Sequence, residues 1–215
     1  MYQRDVVLIK DYAMESPYNL HDVVTFTLCT IQAGLSTCQL QISDICVNGA
    51  VSKYLWGAKA SGYVYARDNA VYLWERVALI AEQGMDDPAN VAEAVLLFMQ
   101  VPGLGMVKAS FVCQMLGFNV ACLDSHNLQR LGLSVSAVKV DAKAKVAAKR
   151  IKVIEYVKLC QQQGSEYWWD SWCDYVAGNK ANRRLDTGDA VSAYHVDCVM
   201  FRQQYNNINF SLDAI

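Results

Sequence analysis

The sequence predicts an all-α protein. Apolar side chains recur every three or four residues over most of the chain, which is the spacing of one face of a helix. The composition, 53% hydrophobic and 19% charged over 215 residues, suits one globular core or two small lobes and excludes disorder. A single short run, Val6–Ile9, is instead typical of an extended segment.

Three consecutive helices are predicted in the middle of the chain. The first begins at the N-cap Asp87, which precedes a proline, and ends near Gln100. The second ends at the C-cap Gly117 and has apolar residues at positions i, i+4 and i+8, namely Val107, Phe111 and Met115. The third is capped by Asp124 and ends at Gly132.

Helices are also predicted on both sides of this unit. One runs from about Asn19 to Cys29, and a final one from Val191 to about Tyr205. A basic helix between them directs three valines toward the core: Val146, Val153 and Val157. We interpret the aromatic stripe that follows as core rather than as a base-stacking platform; it consists of Trp168, Trp172 and Tyr175.

The turn between the first two central helices exposes backbone amides. It has the sequence Pro102-Gly103-Leu104-Gly105, and its glycines permit positive φ and the close approach of another backbone. Leu104 is expected to fill the gap between the helices. Because the first amides of a helix have no helical acceptor and lie at the positive end of its dipole, they form a site for a phosphate oxygen.

This turn and the aspartate that follows the second helix resemble the helix-hairpin-helix DNA glycosylases, which include endonuclease III and the adenine and alkylpurine glycosylases. The family's L-P-G-V-G hairpin and V-D-T-H segment correspond to Val101–Gly105, here called the hairpin, and to Leu123–His126. Ala109 falls where the family has a small packing alanine. Leu28–Ala33 is similar to the family's L-S-x-Q-x segment, and Gly62 begins a weaker match to its glycine-aromatic helix start.

The resemblance spans roughly residues 23–133 and implies a two-lobed helical bundle with a helix-hairpin-helix motif. Residues 20–135 would form the glycosylase-like core, and residues 1–19 together with 136–215 a second helical lobe that packs on it. Asp124 would be the catalytic carboxylate. Gln32 would fill the space that an extruded nucleotide leaves in the duplex.

The chain departs from the family in two respects. Members with lyase activity have a lysine two residues after the last hairpin glycine, where this chain has Val107. Lys108 is one position later, about 100° around the helix, and is expected to turn away from the pocket. Secondly, the eight cysteines contain no C-x-x-C pair and no compact four-cysteine run, so we expect no iron-sulfur cluster, other metal or cofactor. Buried thiols are expected instead.

Charge is distributed unevenly along the chain. The net charge is −2, but the stretch from Val138 to Lys158 has seven basic and two acidic residues, a local charge of +5. Three of its lysines share a helical face, which is either a solvated surface or a strip that contacts phosphate: Lys145, Lys149 and Lys152. The DNA-contacting set that we predict comprises these lysines with Gly103, Leu104, Gly105, Val107, Lys108, Gln32 and His126.

These observations favour a monofunctional DNA N-glycosylase that hydrolyses the bond to a modified or mismatched base in double-stranded DNA. Two alternatives stay open: a helix-hairpin-helix DNA-binding protein without activity, and a base-modifying transferase of the thymine-hypermodification type. No basic N-terminal region leads into an apolar core and a cleavage site, so no signal peptide is expected. The charge-free run from Val23 to Ser43 is diluted by polar residues, so no membrane span is expected either. We expect a cytoplasmic monomer. It would be associated with the nucleoid or, if the protein is viral, would lie in the cytoplasm of the host.

Overall fold

The computed structural model describes residues 1–48, 53–130, 132–141, 143–179 and 187–203, without the side chains of residues 126, 130, 135 and 137. The prediction of an all-α protein is confirmed, since the described residues form eleven α-helices, one short 3-10 helix (Val135–Val138) and no strand. The helices are α1 (Tyr2–Glu15), α2 (Pro17–Cys29), α3 (Leu35–Asn48), α4 (Ala58–Asp68), α5 (Ala70–Glu82), α6 (Pro88–Phe98), α7 (Met106–Met115), α8 (Ser125–Arg130), α9 (Val146–Gln161), α10 (Ser165–Gly178) and α11 (Gly188–Val199).

Helix α2 lies at the centre of the bundle. Every residue from Leu20 to Cys29 is buried, and the helix packs against α1, α3, α4, α5, α7 and α11. A helix that is buried all round needs hydrogen-bond partners inside the protein for its polar side chains. Thr27 therefore donates its hydroxyl to the carbonyl of Val23 at 3.0 Å, and the Asp22 carboxylate accepts from the hydroxyl of Tyr12 at 2.6 Å.

The expectation of an extended segment at Val6–Ile9 is wrong, because these residues belong to α1. Val6 and Ile9 are buried, whereas the two residues between them are exposed, which is helical and not alternating exposure. The described residues contain no strand with which such a segment could pair. Packing against α2 and α11 therefore outweighs the local β propensity of the four aliphatic residues.

Helices α6 and α7 have the predicted caps and are joined by the hairpin. Asp87 accepts hydrogen bonds from the backbone amides of Ala89 and Asn90, both at 3.0 Å, and Pro88 is the first helical residue. Gly117 ends the second helix with a φ of +89°. The Leu104 side chain is 3% exposed, so its predicted role in filling the gap between the helices is confirmed.

The hairpin lies tightly against α4. A Cβ atom on Gly62 would come within 2.1 Å of the Pro102 carbonyl oxygen and 3.0 Å of the Leu28 side chain. Gly103 has a φ of +86°, and a Cβ there would meet the Ala58 carbonyl oxygen at 3.1 Å. Glycine at these two positions lets α4, α2 and the hairpin approach closely.

The three C-terminal helices, α9, α10 and α11, pack against helices from earlier in the chain. Helix α9 lies on α6, and its Val153 and Val157 are buried as expected, but Val146 is 79% exposed because α9 begins there, beyond the edge of α6. Helices α10 and α11 pack on α1. Trp168 of the aromatic stripe is buried, and the other two residues of the stripe, Trp172 and Tyr175, are half-buried against the core.

One hydrophobic cluster includes residues of α1, α2, α6, α7, α9, α10 and α11. Since the core is continuous from residue 2 to residue 201, the division into residues 20–135 and a lobe of 1–19 with 136–215 stays a prediction. The last helix begins at Gly188, three residues earlier than expected, and residues 204–215 lie outside the described part. Within the described residues, every helix is too short or too polar to cross a bilayer.

Gly62→Ala should destabilise the fold by about 1–3 kcal/mol, because the added methyl group meets a backbone carbonyl that cannot move independently. The same change in Gly178→Ala should be neutral or stabilise by up to about 1 kcal/mol, since that glycine is helical and a Cβ there meets no atom within 4 Å. Urea unfolding followed by circular dichroism measures both. Equal midpoints for the two variants would contradict the close packing of α4 on the hairpin.

Candidate functional site

Asp124 begins α8, as predicted. Its Oδ1 atom accepts a hydrogen bond from the Asn127 amide at 3.0 Å, and its carbonyl accepts from the Leu128 amide at 2.9 Å. The residue is half-buried. An N-cap contact of this kind fixes the direction of the carboxylate while part of it stays accessible from outside.

The backbone before Asp124 is held by a buried tyrosine of α9. The Tyr156 hydroxyl donates to the Ala121 carbonyl at 2.7 Å and accepts from the Leu123 amide at 3.0 Å. Burial raises the pKa of this hydroxyl well above its usual value, so it remains a donor. Tyr156 therefore joins two backbone groups of the connection between α7 and α8, the Ala121 carbonyl and the Leu123 amide.

Two amide side chains also bond to the backbone of the connection between α7 and α8. Gln114 of α7 accepts from the Cys122 amide at 3.2 Å and donates to the Ser165 carbonyl at 2.9 Å. Asn127 of α8 donates to the Cys122 carbonyl at 2.9 Å. These contacts come from α7, α8, α9 and the start of α10. The sequence analysis did not identify Gln114, Asn127 or Tyr156, because none belongs to a local motif.

The hairpin exposes the start of α7. Gly105 is the N-cap, with a φ of −75°, and a Cβ atom there would meet nothing within 4 Å. Lys108 and Ala109 are the first residues whose amides bond to the Gly105 carbonyl. The preceding amides, those of Met106 and Val107, have no acceptor within the helix.

A groove of about 560 Å³ runs along this helix start and is here called the lysine groove. Its walls are Gly105–Lys108, Val138–Val140, Met99 and Lys149. Three lysines, Lys108, Lys139 and Lys149, thus line the same space as the start of α7, together with the apolar side chains of Met99, Val107, Val138 and Val140. Cations and helix amides together favour an anion such as a phosphate group.

Val107 and Lys108 both line the lysine groove, and Asp124 does not, so the expectation that Lys108 turns away from the catalytic pocket stays a prediction. The Lys108 Nζ atom lies 5.4 Å from the centroid of the Phe111 ring. Burial raises the pKa of the Cys122 thiol to about 11; the Lys108 ammonium opposes this shift and the Asp124 carboxylate adds to it. The charges of Lys108 and Asp124 therefore both affect the pKa of the Cys122 thiol.

The predicted lysine strip of α9 divides into three environments. Lys149 lines the lysine groove, and Lys145 is exposed at the N-cap of the helix. Lys152 instead pairs with Glu155 at 3.2 Å. Lys139, from the segment before α9, also lines the groove, although it is not among the predicted DNA-contacting lysines. Its position in the basic stretch was the only signal of that role.

Gln32 lies on the opposite side of the hairpin. It is exposed and has a φ of +51°, a left-handed conformation that is rare for a residue with a side chain. It lines a second cavity of about 580 Å³, here called the Trp56 cleft, together with Gly103 and residues of α3 and 53–59. The hairpin therefore separates two cavities: Gly103 lines the cleft and Gly105 lines the groove.

The structure brings four of the predicted site residues together at the lysine groove, namely Gly105, Val107, Lys108 and Lys149, and places Gln32 and Gly103 at the Trp56 cleft. Asp124 is not among the residues that line either cavity. The Leu104 side chain belongs to the core, which leaves its backbone as the part that could face a partner. The side chain of His126 lies outside the described part of the chain.

The other histidines and the cysteines belong to the core. Burial lowers the pKa of His21 to about 4 and that of His195 to about 3, and the His195 ring stacks on Trp172 with centroids 4.3 Å apart. The expected burial of the thiols is confirmed: all eight cysteines are free, and only Cys46 is not fully buried. Among the described residues, no three His, Cys, Asp or Glu side chains are grouped as a metal site.

The chain matches no protein-family model, no curated protein and no solved structure. The likeness to helix-hairpin-helix glycosylases therefore rests on the residues of the hairpin and of the segment around Asp124.

Tyr156→Phe should lower the free energy of unfolding by about 1–3 kcal/mol, because the buried Leu123 amide and Ala121 carbonyl lose their common partner. Tyr72→Phe is the matched control, since that tyrosine lies on the exposed surface of α5 and its loss of a hydroxyl should have little effect. Urea unfolding at neutral pH compares the two variants with the parent. A stability change no larger for Tyr156→Phe than for Tyr72→Phe would show that this hydroxyl does not hold the connection.

Proposed function

We propose that this chain is a monofunctional DNA N-glycosylase in which Asp124 is the catalytic carboxylate. One observation carries the proposal: a carboxylate held by its own N-cap contact follows, after α7 and one short connection, a helix start that is suited to a phosphate. Hydrogen bonds from Tyr156, Gln114 and Asn127 hold that connection. The reaction class that needs both a held backbone and a rigid carboxylate is chemistry at the sugar of a nucleotide.

Gly105 supports a ligand at the lysine groove. Nothing inside the protein requires glycine at this position, since its φ is negative and a Cβ would have open space. An N-cap is usually Ser, Thr, Asp or Asn. The missing side chain instead gives an external group access to the amides of Met106 and Val107. A DNA phosphate fits because three lysines surround the same space.

The carboxylate of Asp124 performs the chemistry in this proposal. Departure of a base leaves positive charge on C1′ and the ring oxygen of the sugar, and a fixed carboxylate stabilises that charge and orients the attacking water. The base must leave the duplex stack before its bond can be reached. Gln32, exposed in a left-handed conformation beside the hairpin, is suited to occupy the vacated space.

The enzyme acts in this proposal without forming a covalent link to DNA. A lyase needs an amine that attacks C1′. Val107 has none, and the Lys108 ammonium lies over the Phe111 ring, where its interaction with the ring face competes with attack on a sugar. Lys108 lines the groove, where its positive charge adds to those of Lys139 and Lys149.

Asp124→Asn should reduce base release by at least about a hundredfold, because a neutral amide cannot stabilise a cationic sugar. The fold and the affinity for DNA should persist, since Asn is as good an N-cap as Asp. The assay incubates duplexes that each contain one modified or mismatched base and detects free base and strand mass by mass spectrometry. Strands whose mass changes without base release would indicate a transferase, and binding without either change a DNA-binding protein.

The matched control for this variant is Asp141→Asn. Asp141 is exposed in the basic stretch and also accepts a hydrogen bond from a backbone amide, that of Lys143 at 2.9 Å. The Asp141→Asn substitution removes the same charge from another carboxylate that accepts a backbone hydrogen bond. This variant should therefore retain full base release. A parental rate in Asp124→Asn would exclude the catalytic role of Asp124.

Gly105→Asp should weaken binding to every duplex at least about tenfold, because a carboxylate at the groove repels the phosphate. Gly105→Asn is the isosteric neutral control and should lose less affinity. Both residues are strong N-caps, so neither variant should be less stable than the parent. Fluorescence anisotropy at several salt concentrations measures the affinities. Parental affinity in both variants would show that Gly105 has only a structural role and does not adjoin a bound phosphate.

Borohydride should not trap the parent on DNA that contains its substrate base, and the abasic strand should stay intact until alkali is added. The reason is the absence of an amine at Val107 and the position of the Lys108 ammonium over Phe111. Gel electrophoresis of the borohydride-treated reaction shows whether an adduct forms. An adduct in the parent that disappears in Lys108→Ala would identify Lys108 as a lyase nucleophile and overturn the monofunctional assignment.

A further inference from the structure

The Trp56 cleft has two aromatic rings on its wall that are unusually accessible. Trp56 is 77% exposed and Tyr54 is 42% exposed, whereas Leu55 between them is buried and anchors the segment in the core. Both rings line the cleft. Exposed aromatic rings supply flat apolar surface on which another planar ring can stack.

A buried amide at the cleft supplies a hydrogen-bond acceptor. Gln41 is only 4% exposed, and its Nε2 atom donates to the Tyr54 carbonyl at 3.2 Å. Because that contact requires a donor, it fixes the orientation of the amide and turns Oε1 the other way. Oε1 has no partner within the described residues although it is buried. A buried acceptor without a partner is costly, and a ligand N–H group in the cleft would satisfy it.

The charges at the cleft indicate an anionic ligand. Lys53 and Lys59 both line it, and no lining residue is acidic. The Lys53 Nζ atom lies 5.1 Å from the centroid of the Tyr54 ring, so this cation lies beside the aromatic wall. The volume of about 580 Å³ falls in the range of pockets that hold a small molecule, about 300–1,000 Å³.

We propose that the Trp56 cleft binds a nucleotide through its base, with the base stacked on Trp56, an N–H edge donated to Gln41 Oε1, and phosphate near Lys53 or Lys59. A stacking surface, a single buried acceptor and two cations match a heteroaromatic ring joined to a phosphate. The cleft lies across the hairpin from the lysine groove, and Asp124 does not line it. It is therefore a second nucleotide site that does not contain Asp124, although Gln32 and Gly103, which the proposed function places against DNA, also line it.

The same chemistry has two sources, a free nucleotide and an unpaired nucleotide in a DNA strand. Isothermal titration calorimetry with the full chain separates them, using the four deoxynucleoside monophosphates in one arm and single-stranded oligonucleotides of four to eight residues in the other. Binding of either probe supports the site and identifies its source. Deoxyribose 5-phosphate is the control without a base and should bind at least about tenfold more weakly than the mononucleotides, if these bind.

Trp56→Ala should weaken the binding about tenfold or more, and Trp56→Phe should retain most of it, because phenylalanine keeps a ring for stacking. Tyr167→Ala is the matched control, since Tyr167 is another exposed aromatic residue and does not line the cleft. Gln41→Met, which keeps the length of the side chain but removes the acceptor, should also weaken binding, and its melting temperature shows whether it folds.

The proposal is overturned if neither probe binds the parent at millimolar concentration, or if Trp56→Ala binds as the parent does. It is also overturned if deoxyribose phosphate binds as well as the nucleotides, because the base then contributes nothing. None of these measurements depends on base release, so failure of the glycosylase assay and failure of this site are distinguishable.

Discussion

The contact between Gly62 and the Pro102 carbonyl fixes the hairpin that lines both cavities. With no Cβ at that position, α4 approaches the hairpin until helix and backbone carbonyl touch, and Leu28 of the buried α2 closes the contact from the other side. The hairpin is thereby held against α4 and against the central helix α2. Both cavities of the surface, the lysine groove and the Trp56 cleft, take one wall from this hairpin. Their separation and relative orientation therefore follow from one close approach between backbones.

The backbone around Asp124 and the two cavities differ in how completely their polar groups are satisfied. Around Asp124 the polar groups are buried and mutually satisfied, with Tyr156 and Gln114 reaching the connection from α9 and α7. Satisfied buried polar groups favour one arrangement over its alternatives, because each displacement would leave a donor or acceptor without water. At the two cavities the opposite holds. Gly105 faces open space, and Gln41 retains an acceptor without a partner in the described chain, which is what sites for external ligands require.

The net charge of −2 is compatible with a surface for nucleic acid because the field near a groove depends on local charge. Lys108, Lys139 and Lys149 line one volume of about 560 Å³, so their positive charges add in the same space. Lys152 and Arg150 contribute less, since each is paired with a glutamate, Glu155 or Glu93. The remaining negative charge is spread over the rest of the chain, where salt screens it from the groove.

The sequence alone determined those features that depend on neighbours within about four residues. Helical periodicity predicted the all-α class, and short-range hydrogen bonding predicted the caps at Asp87 and Asp124. The burial of Leu104 followed from an apolar residue between two glycines. Such features are local because a helix satisfies its backbone within each turn.

Only the tertiary structure decided which distant residues meet. It made Val6–Ile9 helical because α2 and α11 offer an apolar surface and no strand is described there. It brought Tyr156 to the connection before Asp124, placed Lys139 rather than the whole lysine strip at the groove, and gathered Gln32, Gln41 and Trp56 at one cleft. These residues have no common spacing in the chain. Their contacts result from packing between helices, where the free energy depends on the complementary shapes of surfaces that the sequence order does not reveal.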